Sequence, residues 1–236
     1  MKVLVIPDVH LKPWMFDHAA KLLKQGMAEK AVCLMDIADD WNQQYNLDLY
    51  IQSYDAAIAF AKAFPKTLWC YGNHDICYAW NQRETGYSKI APWTVNEKLR
   101  VLKETLPNQY QLAFIHRIDK VLFMHGGLTE KFVKDYVPLK EQHSIDDTVK
   151  CVNSFGMAEL WQDLSPLWFR PQYYKTRMYG EEKFLQIVGH TPVQRIEKCG
   201  NIISCDVFST DHNRKPIGTQ EFLLIDTETW EYSGVR

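Results

Sequence analysis

Two hydrophobic periods alternate along the first eighty residues. Val3 to Ile6 is an unbroken apolar run between Lys2 and Pro7, the pattern of a short strand buried on both faces. Residues 16–25, FDHAAKLLKQ, space their apolar side chains for one face of a helix that Gly26 stops. The alternation then repeats. Ala31 to Met35 predicts a second strand, residues 50–63 (YIQSYDAAIAFAKA) a second helix ending before Pro65, and Thr67 to Tyr71 a third strand. A β-α-β-α-β order predicts a mostly parallel sheet with helices on its faces.

Beyond residue 76 the pattern is less regular. Residues 77–117 are rich in aromatics and broken by Pro92 and Pro107, with a helix predicted over 95–105 (VNEKLRVLKET). Val121 to Met124 predicts a fourth strand, and residues 128–180 read as helical and rich in Trp and Tyr. Three more strands are predicted at Phe184 to Val188, Ile202 to Cys205 and Phe222 to Ile225. With no repeat, low-complexity tract or linker, the expectation is a single domain over 1–236, carrying insertions at about 77–117 and 128–180.

Composition narrows the function classes. Hydrophobic residues make up 46% of the chain, enough for a sizeable core. Lys and Arg total 27 against 29 Asp and Glu, with no basic run, which argues against general nucleic-acid binding. Six cysteines form no C-x-x-C pair and read as free, buried thiols of a reducing compartment. The apolar run before Pro7 is too short for a signal peptide, and nothing approaches the ~20 apolar residues that span a bilayer. The expectation is a soluble, cytoplasmic protein with no membrane partner.

The chemistry collects at the predicted strand ends, where α/β sheets gather their binding groups. The first strand ends in Asp8-Val9-His10 and the second in Asp36, followed by Asp39 and Asp40; the third ends in Gly72-Asn73-His74-Asp75. The fourth ends in His125-Gly126-Gly127 and the next in Gly189-His190-Thr191-Pro192. A single Asp at such a junction is ordinarily a helix cap. Capping alone would use Ser, Thr and Gly as often, and would not favour imidazole. Asp8, His10, Asp36, Asn73, His125 and His190 form a mixed N/O donor set without thiolate, suited to Mn, Fe or Zn rather than Mg or Ca. Six ligands exceed what one catalytic ion needs and fit two ions ~3.5–4 Å apart with one shared carboxylate.

The ordered set D-x-H, D-x-x-D, G-N-H-D, H-G-G and G-H-T-P resembles the calcineurin-like metallophosphoesterase superfamily, from Asp8 to about Asp206. The resemblance implies an α/β fold, an αββα sandwich of two mixed sheets face to face with helices outside. It implies that Asp8, His10 and Asp36 hold one metal and that Asp36, Asn73, His125 and His190 hold the other, with Mn the foremost ion. It further implies attack on phosphorus by a metal-bridging hydroxide, with His74 protonating the leaving alkoxide and Asp39 keeping His74 charged. Asp206 matches an acid that orients a ligand histidine, and Asp75 reads as a capping residue pointing away.

The G-H-T-P motif is similar to that of bacterial and phage protein phosphatases and diadenosine tetraphosphatases. The sequence departs from that branch at Met35, which stands in place of a glycine, and at Asp40-Trp41, which stand in place of the Arg-Gly of a phosphate clamp. Asp40 either repels phosphate or points outward as a helix cap. The segment PLWFRP, residues 166–171, resembles a stretch whose arginine binds substrate phosphate, making Arg170 a candidate substrate-binding residue; Asn73 is the other candidate. Trp168, Tyr173, Tyr174 and Tyr179 lie nearby and read as packing or as a stacking surface. The substrate expected is a phosphorylated molecule: phosphoprotein, nucleotide or nucleic-acid end. The foremost function is a protein-phosphatase-like phosphomonoesterase. The alternatives are a nucleotide or polynucleotide phosphodiesterase or pyrophosphohydrolase, and an inactive binding protein of the same fold.

Overall fold

The computed structural model describes residues 1–236 as two mixed β-sheets and seven α-helices. In the six-stranded sheet β1 (Lys2–Ile6), β2 (Lys30–Cys33), β3 (Leu68–Cys70) and β4 (Leu112–Ala113) run parallel. Beside β1, β10 (Phe222–Asp226) and β11 (Tyr232–Val235) complete the sheet antiparallel. The five-stranded sheet orders β5 (Ile115–Ile118), β6 (Val121–Met124), β7 (Leu185–Val188), β9 (Ile202–Ser204) and β8 (Glu197–Cys199); β6, β7 and β9 are parallel.

Period-2 alternation sorts the strand side chains into layers. Val3, Val5, Val32 and Leu34 of the first sheet meet Val121, Phe123, Leu185, Ile187 and Ile203 of the second in one core. Leu4, Ile6, Ala31 and Cys33 face the other way, against α1 (Trp14–Lys24), α2 (Leu47–Ala63) and α4 (Pro92–Thr105). Leu122, Met124 and Val188 face α5 (Glu130–Tyr136), α6 (Ile145–Asn153) and α7 (Met157–Leu160). The result is an αββα sandwich, and each fully buried Val, Leu, Ile or Phe in it contributes roughly 1.5–3 kcal/mol.

Four strands carry no sequence signal of the kind used above. β8 is exposed at every residue and β11 nearly so, so neither shows an apolar face; β4 has only two residues. Together with β5, β4 lies inside the segment 77–117 expected as an insertion, which instead supplies an edge strand to each sheet. Residues 128–180 are helical only to Leu160 and continue as turns. Of the cysteines, Cys33, Cys70, Cys77 and Cys205 are buried, Cys151 is half-buried and Cys199 is exposed; all are free. No helix is long and apolar enough to cross a membrane.

Candidate metal centre

The loops after β1, β2, β3, β6 and β7 converge at one end of the sandwich and bring all six expected ligand side chains together. Two glycines explain how closely. A Cβ on Gly72 would fall 2.0 Å from Asp36 Oδ1, and one on Gly189 would fall 2.1 Å from Asp8 Oδ2. Each acid therefore lies flat against the backbone of a neighbouring loop. An amide just beyond each glycine grips it: His74 N–H donates to Asp36 Oδ1 at 2.9 Å, and His190 N–H donates to Asp8 Oδ1 at 2.8 Å. Gly72→Ala is expected to displace Asp36 and weaken metal binding by about tenfold or more while the helix-facing cores stay intact. Titration calorimetry with a divalent metal, with circular dichroism as the folding control, checks this.

Backbone carbonyls select the histidine tautomers. His10 Nδ1 lies 2.8 Å from the Asp39 carbonyl and His125 Nδ1 lies 3.1 Å from the Leu34 carbonyl. In the neutral ring each Nδ1–H donates outward and leaves Nε2 with a lone pair facing the centre. Around His125 Nε2 stand Asn73 Oδ1 at 2.9 Å, His190 Nδ1 at 3.1 Å and Asp36 Oδ2 at 3.2 Å. The other oxygen contact, Asp36 Oδ2 to His10 Nε2, is 3.8 Å. Asp36, His125 and His190 thus offer ligand atoms within 4.8 Å of one another, and so do Asp8, His10 and Asp36. Asp36 is common to both groups.

The electrostatics of this cluster call for cations. Asp8 is fully buried, its Oδ2 has no hydrogen-bond partner, and burial followed by the Asp206 and Asp36 charges pushes its carboxyl well above the usual range. Burial opposes ionisation of Asp36 too, yet His125, His74 and His10 together hold it well below the ordinary carboxylate range. Burial lowers His10 and His190 and keeps both neutral, as a metal ligand must be. His125 goes the other way: burial lowers it, but Asp36 and Asp8 outweigh burial and raise it to about 9. A donor set of this composition, with an orphaned buried carboxylate oxygen, fits a pair of divalent ions.

A metal held at His125 Nε2 would displace that ring's proton, so affinity is expected to rise with pH up to about 9 and level off above it. The slope is about tenfold per pH unit for each proton displaced. Calorimetry in buffers of different ionisation enthalpy measures the release; a pH-independent affinity would contradict it.

Behind the ligands lies a second layer. His74 Nδ1 is 3.0 Å from Asp39 Oδ2, and the Asp36 and Asp39 charges overcome burial and raise His74 to about 9. Asp39 Oδ1 accepts from the hydroxyls of Tyr50 and Tyr78, each at 2.6 Å. Asp75 corrects an expectation, because it caps no helix and faces back into the molecule. Its Oδ1 accepts from Ile37 N at 3.0 Å, Ala38 N at 3.4 Å and the Tyr54 hydroxyl at 2.5 Å, bracing the loop that carries Asp36. That loop is strained: Met35 has φ 56° and Asp36 φ 40°, in the left-handed region that favours the glycine replaced by Met35.

A cleft of about 520 Å³ opens over the centre, lined among others by His10, Asp36, His74, Arg170 and His190. Arg170 Nη1 donates to the His190 carbonyl at 2.7 Å and to Thr191 Oγ1 at 3.2 Å, and the side chain forms no ion pair. Asp40 also lines the cleft and is no outward cap. Its Oδ1 accepts from Thr210 Oγ1 at 2.9 Å, and its Oδ2 is 3.6 Å from Lys12 Nζ, a nearly buried amine that also donates to the His10 carbonyl at 3.0 Å. The acid in the clamp position is therefore paired with a lysine that the sequence reading did not single out. Asp206 is buried beside Asp8 and hydrogen-bonds no histidine; its carboxylate accepts from Ser209 Oγ at 2.9 Å and Ser209 N at 3.3 Å. Carbonyls hold two of the candidate histidines instead, that of Asp39 for His10 and that of Leu34 for His125.

None of Trp168, Tyr173, Tyr174 and Tyr179 lines the cleft; Trp41 and Tyr87 do. Trp168 packs edge-on against His190 at 5.4 Å, and Tyr179 bonds Thr148.

Comparison with known proteins bears on the fold and the family. A cold-active protein-tyrosine phosphatase of a psychrophile, Shewanella sp., aligns with 100% of this chain and 80% of its own at 16% identity and a TM-score of 0.57. A protein serine/threonine phosphatase from Saccharomyces cerevisiae covers 95% of this chain and 72% of its own at 14% identity and a TM-score of 0.51. At such identities the likeness shows the fold alone. No curated protein matches the sequence. The family model for calcineurin-like phosphoesterases, however, matches residues 1–214. The chain belongs to the calcineurin-like phosphoesterase family and is a metal-dependent phosphoester hydrolase of the kind that uses a dinuclear divalent centre.

Proposed function

We propose that this protein is a phosphomonoesterase, with Asp8, His10 and Asp36 holding one ion and Asp36, Asn73, His125 and His190 the other. When bound, two such ions, Mn foremost for this N/O set, would neutralise phosphate oxygens as Lewis acids and lower the pKa of the attacking water. The observation that carries the reading is the His74–Asp39 pair at 3.0 Å beside Arg170 in one cleft.

In this reading the phosphoryl group enters against Arg170, whose Nη1 is already fixed on the His190 carbonyl and whose other N–H groups have no protein partner. Water adds to phosphorus opposite the leaving oxygen, and the P–O bond to the alcohol breaks. The Nε2 proton of His74 passes to the leaving oxygen, so that alcohol and inorganic phosphate are released. The proton shed by the water returns the imidazole to its charged form through solvent. Asp39 accepts the Nδ1–H throughout and stabilises the imidazolium before transfer.

A phosphate dianion has most to gain from Arg170 and a charged His74, so p-nitrophenyl phosphate is expected to exceed its bis ester in kcat/KM by roughly tenfold or more. Phosphate and nitrophenol release with Mn measures this. Preference for the bis ester would support the second reading, a nucleotide phosphodiesterase, which the Asp40 carboxylate and the exposed ring of Trp41 in the cleft favour. The two structural relatives named protein phosphatases are in keeping with the monoester reading.

A further inference from the structure

Tyr50 and Tyr54 sit one turn apart on α2, both without solvent exposure, and each sends its hydroxyl to a different acid of the site. Tyr54 braces Asp75, and through it the backbone of the loop that carries Asp36. Tyr50 donates to Asp39 Oδ1 at 2.6 Å, and Tyr78, from the short helix α3 (Asn73–Ala79), donates to the same oxygen at 2.6 Å. The backbone N–H of Ser88 donates to the Tyr78 oxygen at 2.8 Å, which directs the tyrosine's own proton toward Asp39. With two donors on Oδ1, the carboxylate cannot rotate without losing three hydrogen bonds at once. Only Oδ2 remains for His74 Nδ1, at 3.0 Å. A phenylalanine would fill either tyrosine's place in the core, so packing alone does not call for the hydroxyls.

We propose that Tyr50 and Tyr78 are positioning residues for the leaving-group acid. They pin Asp39 so that Oδ2 alone holds the Nδ1–H of His74, and they thereby aim the Nε2–H at the leaving oxygen. The proposal rests on the reading of His74 as the proton donor given above. Proton donation matters most when the departing alkoxide is basic, so the loss should depend on the leaving group. Displacement of a scaffold would slow every ester alike.

The test compares Tyr50→Phe, Tyr78→Phe and the double variant with Tyr54→Phe, which removes a buried hydroxyl from the same face of the same helix, and with His74→Asn. Turnover of phenyl phosphate and p-nitrophenyl phosphate is measured with Mn, alongside metal stoichiometry. The double variant is expected to lose about tenfold or more on phenyl phosphate and less than about threefold on p-nitrophenyl phosphate, with KM and metal content unchanged. Tyr54→Phe should slow both esters equally. In metal-free protein, the His74 Nδ1–H resonance, identified by its loss in His74→Asn, should broaden in the Tyr50 and Tyr78 variants and persist in Tyr54→Phe. If the double variant does not fold, the single variants carry the comparison, each retaining one donor on Asp39. Equal losses on both esters, or an unchanged Nδ1–H resonance, would overturn the positioning role. If His74→Asn is itself insensitive to the leaving group, the acid reading fails as well, a distinct result.

Discussion

Asp36→Asn is expected to lower metal-supported phosphate release by roughly a thousand-fold, the equivalent of the several kcal/mol that Lewis-acid stabilisation contributes. Asp36 is the one side chain common to both groups of converging ligand atoms. Its Oδ1 is already committed to the His74 amide, so an asparagine that keeps this bond turns its NH2 toward His125 and His10. A donor then occupies the place where a lone pair is needed. The substitution also removes the negative charge that raises His125, and the variant should fold, because the buried position loses a charge rather than gaining one. A ligand that binds only the folded state raises Tm by mass action. The wild-type chain should therefore gain Tm on adding Mn, and Asp36→Asn should not. A wild-type shift in the variant, together with undiminished phosphate release, would remove Asp36 from the centre.

His74→Asn is the complementary experiment, because it should spare the metals and harm the chemistry. General-acid catalysis contributes about 10²- to 10⁴-fold, and that range is the loss expected for substrates with basic leaving groups, with a smaller loss for p-nitrophenyl phosphate. The pH dependence follows from the direction of the shift. Asp36 and Asp39 raise His74 to about 9, so the charged, proton-donating form is present below that value and disappears as pH rises through it. Nearby divalent cations pull the value down, which places the high-pH limb of wild-type turnover at or below about 9. That limb should be missing from the variant's profile. A variant that retains it, or that loses metal along with activity, would assign His74 a different role.

Much of the architecture was legible from periodicity. The apolar runs at Val3 to Ile6 and Val121 to Met124 and the apolar stripes of α1 and α2 are buried elements, and burial is what periodicity reports. The edge strands β8 and β11 escaped the same reading because they bury almost nothing. The tyrosines of α2 escaped it for the opposite reason. Tyr50 and Tyr54 fall on the apolar face and read as core, and periodicity is blind to where a hydroxyl ends.

What the sequence by itself determined is the inventory: an α/β chain whose strand ends carry Asp8, His10, Asp36, Asn73, His125 and His190 in order, a donor set without thiolate. Residue type dictates that chemistry wherever the chain goes. Only the tertiary structure decided the pairings. Asp40 meets Lys12 and Thr210, Asp206 meets Ser209 rather than a histidine, and Asp75 turns inward to brace the Asp36 loop. A carboxylate's role depends on which donors lie within about 3 Å of it. In this protein those donors come from segments as far apart as Asp40 and Thr210, 170 residues along the chain, and only folding brings them together.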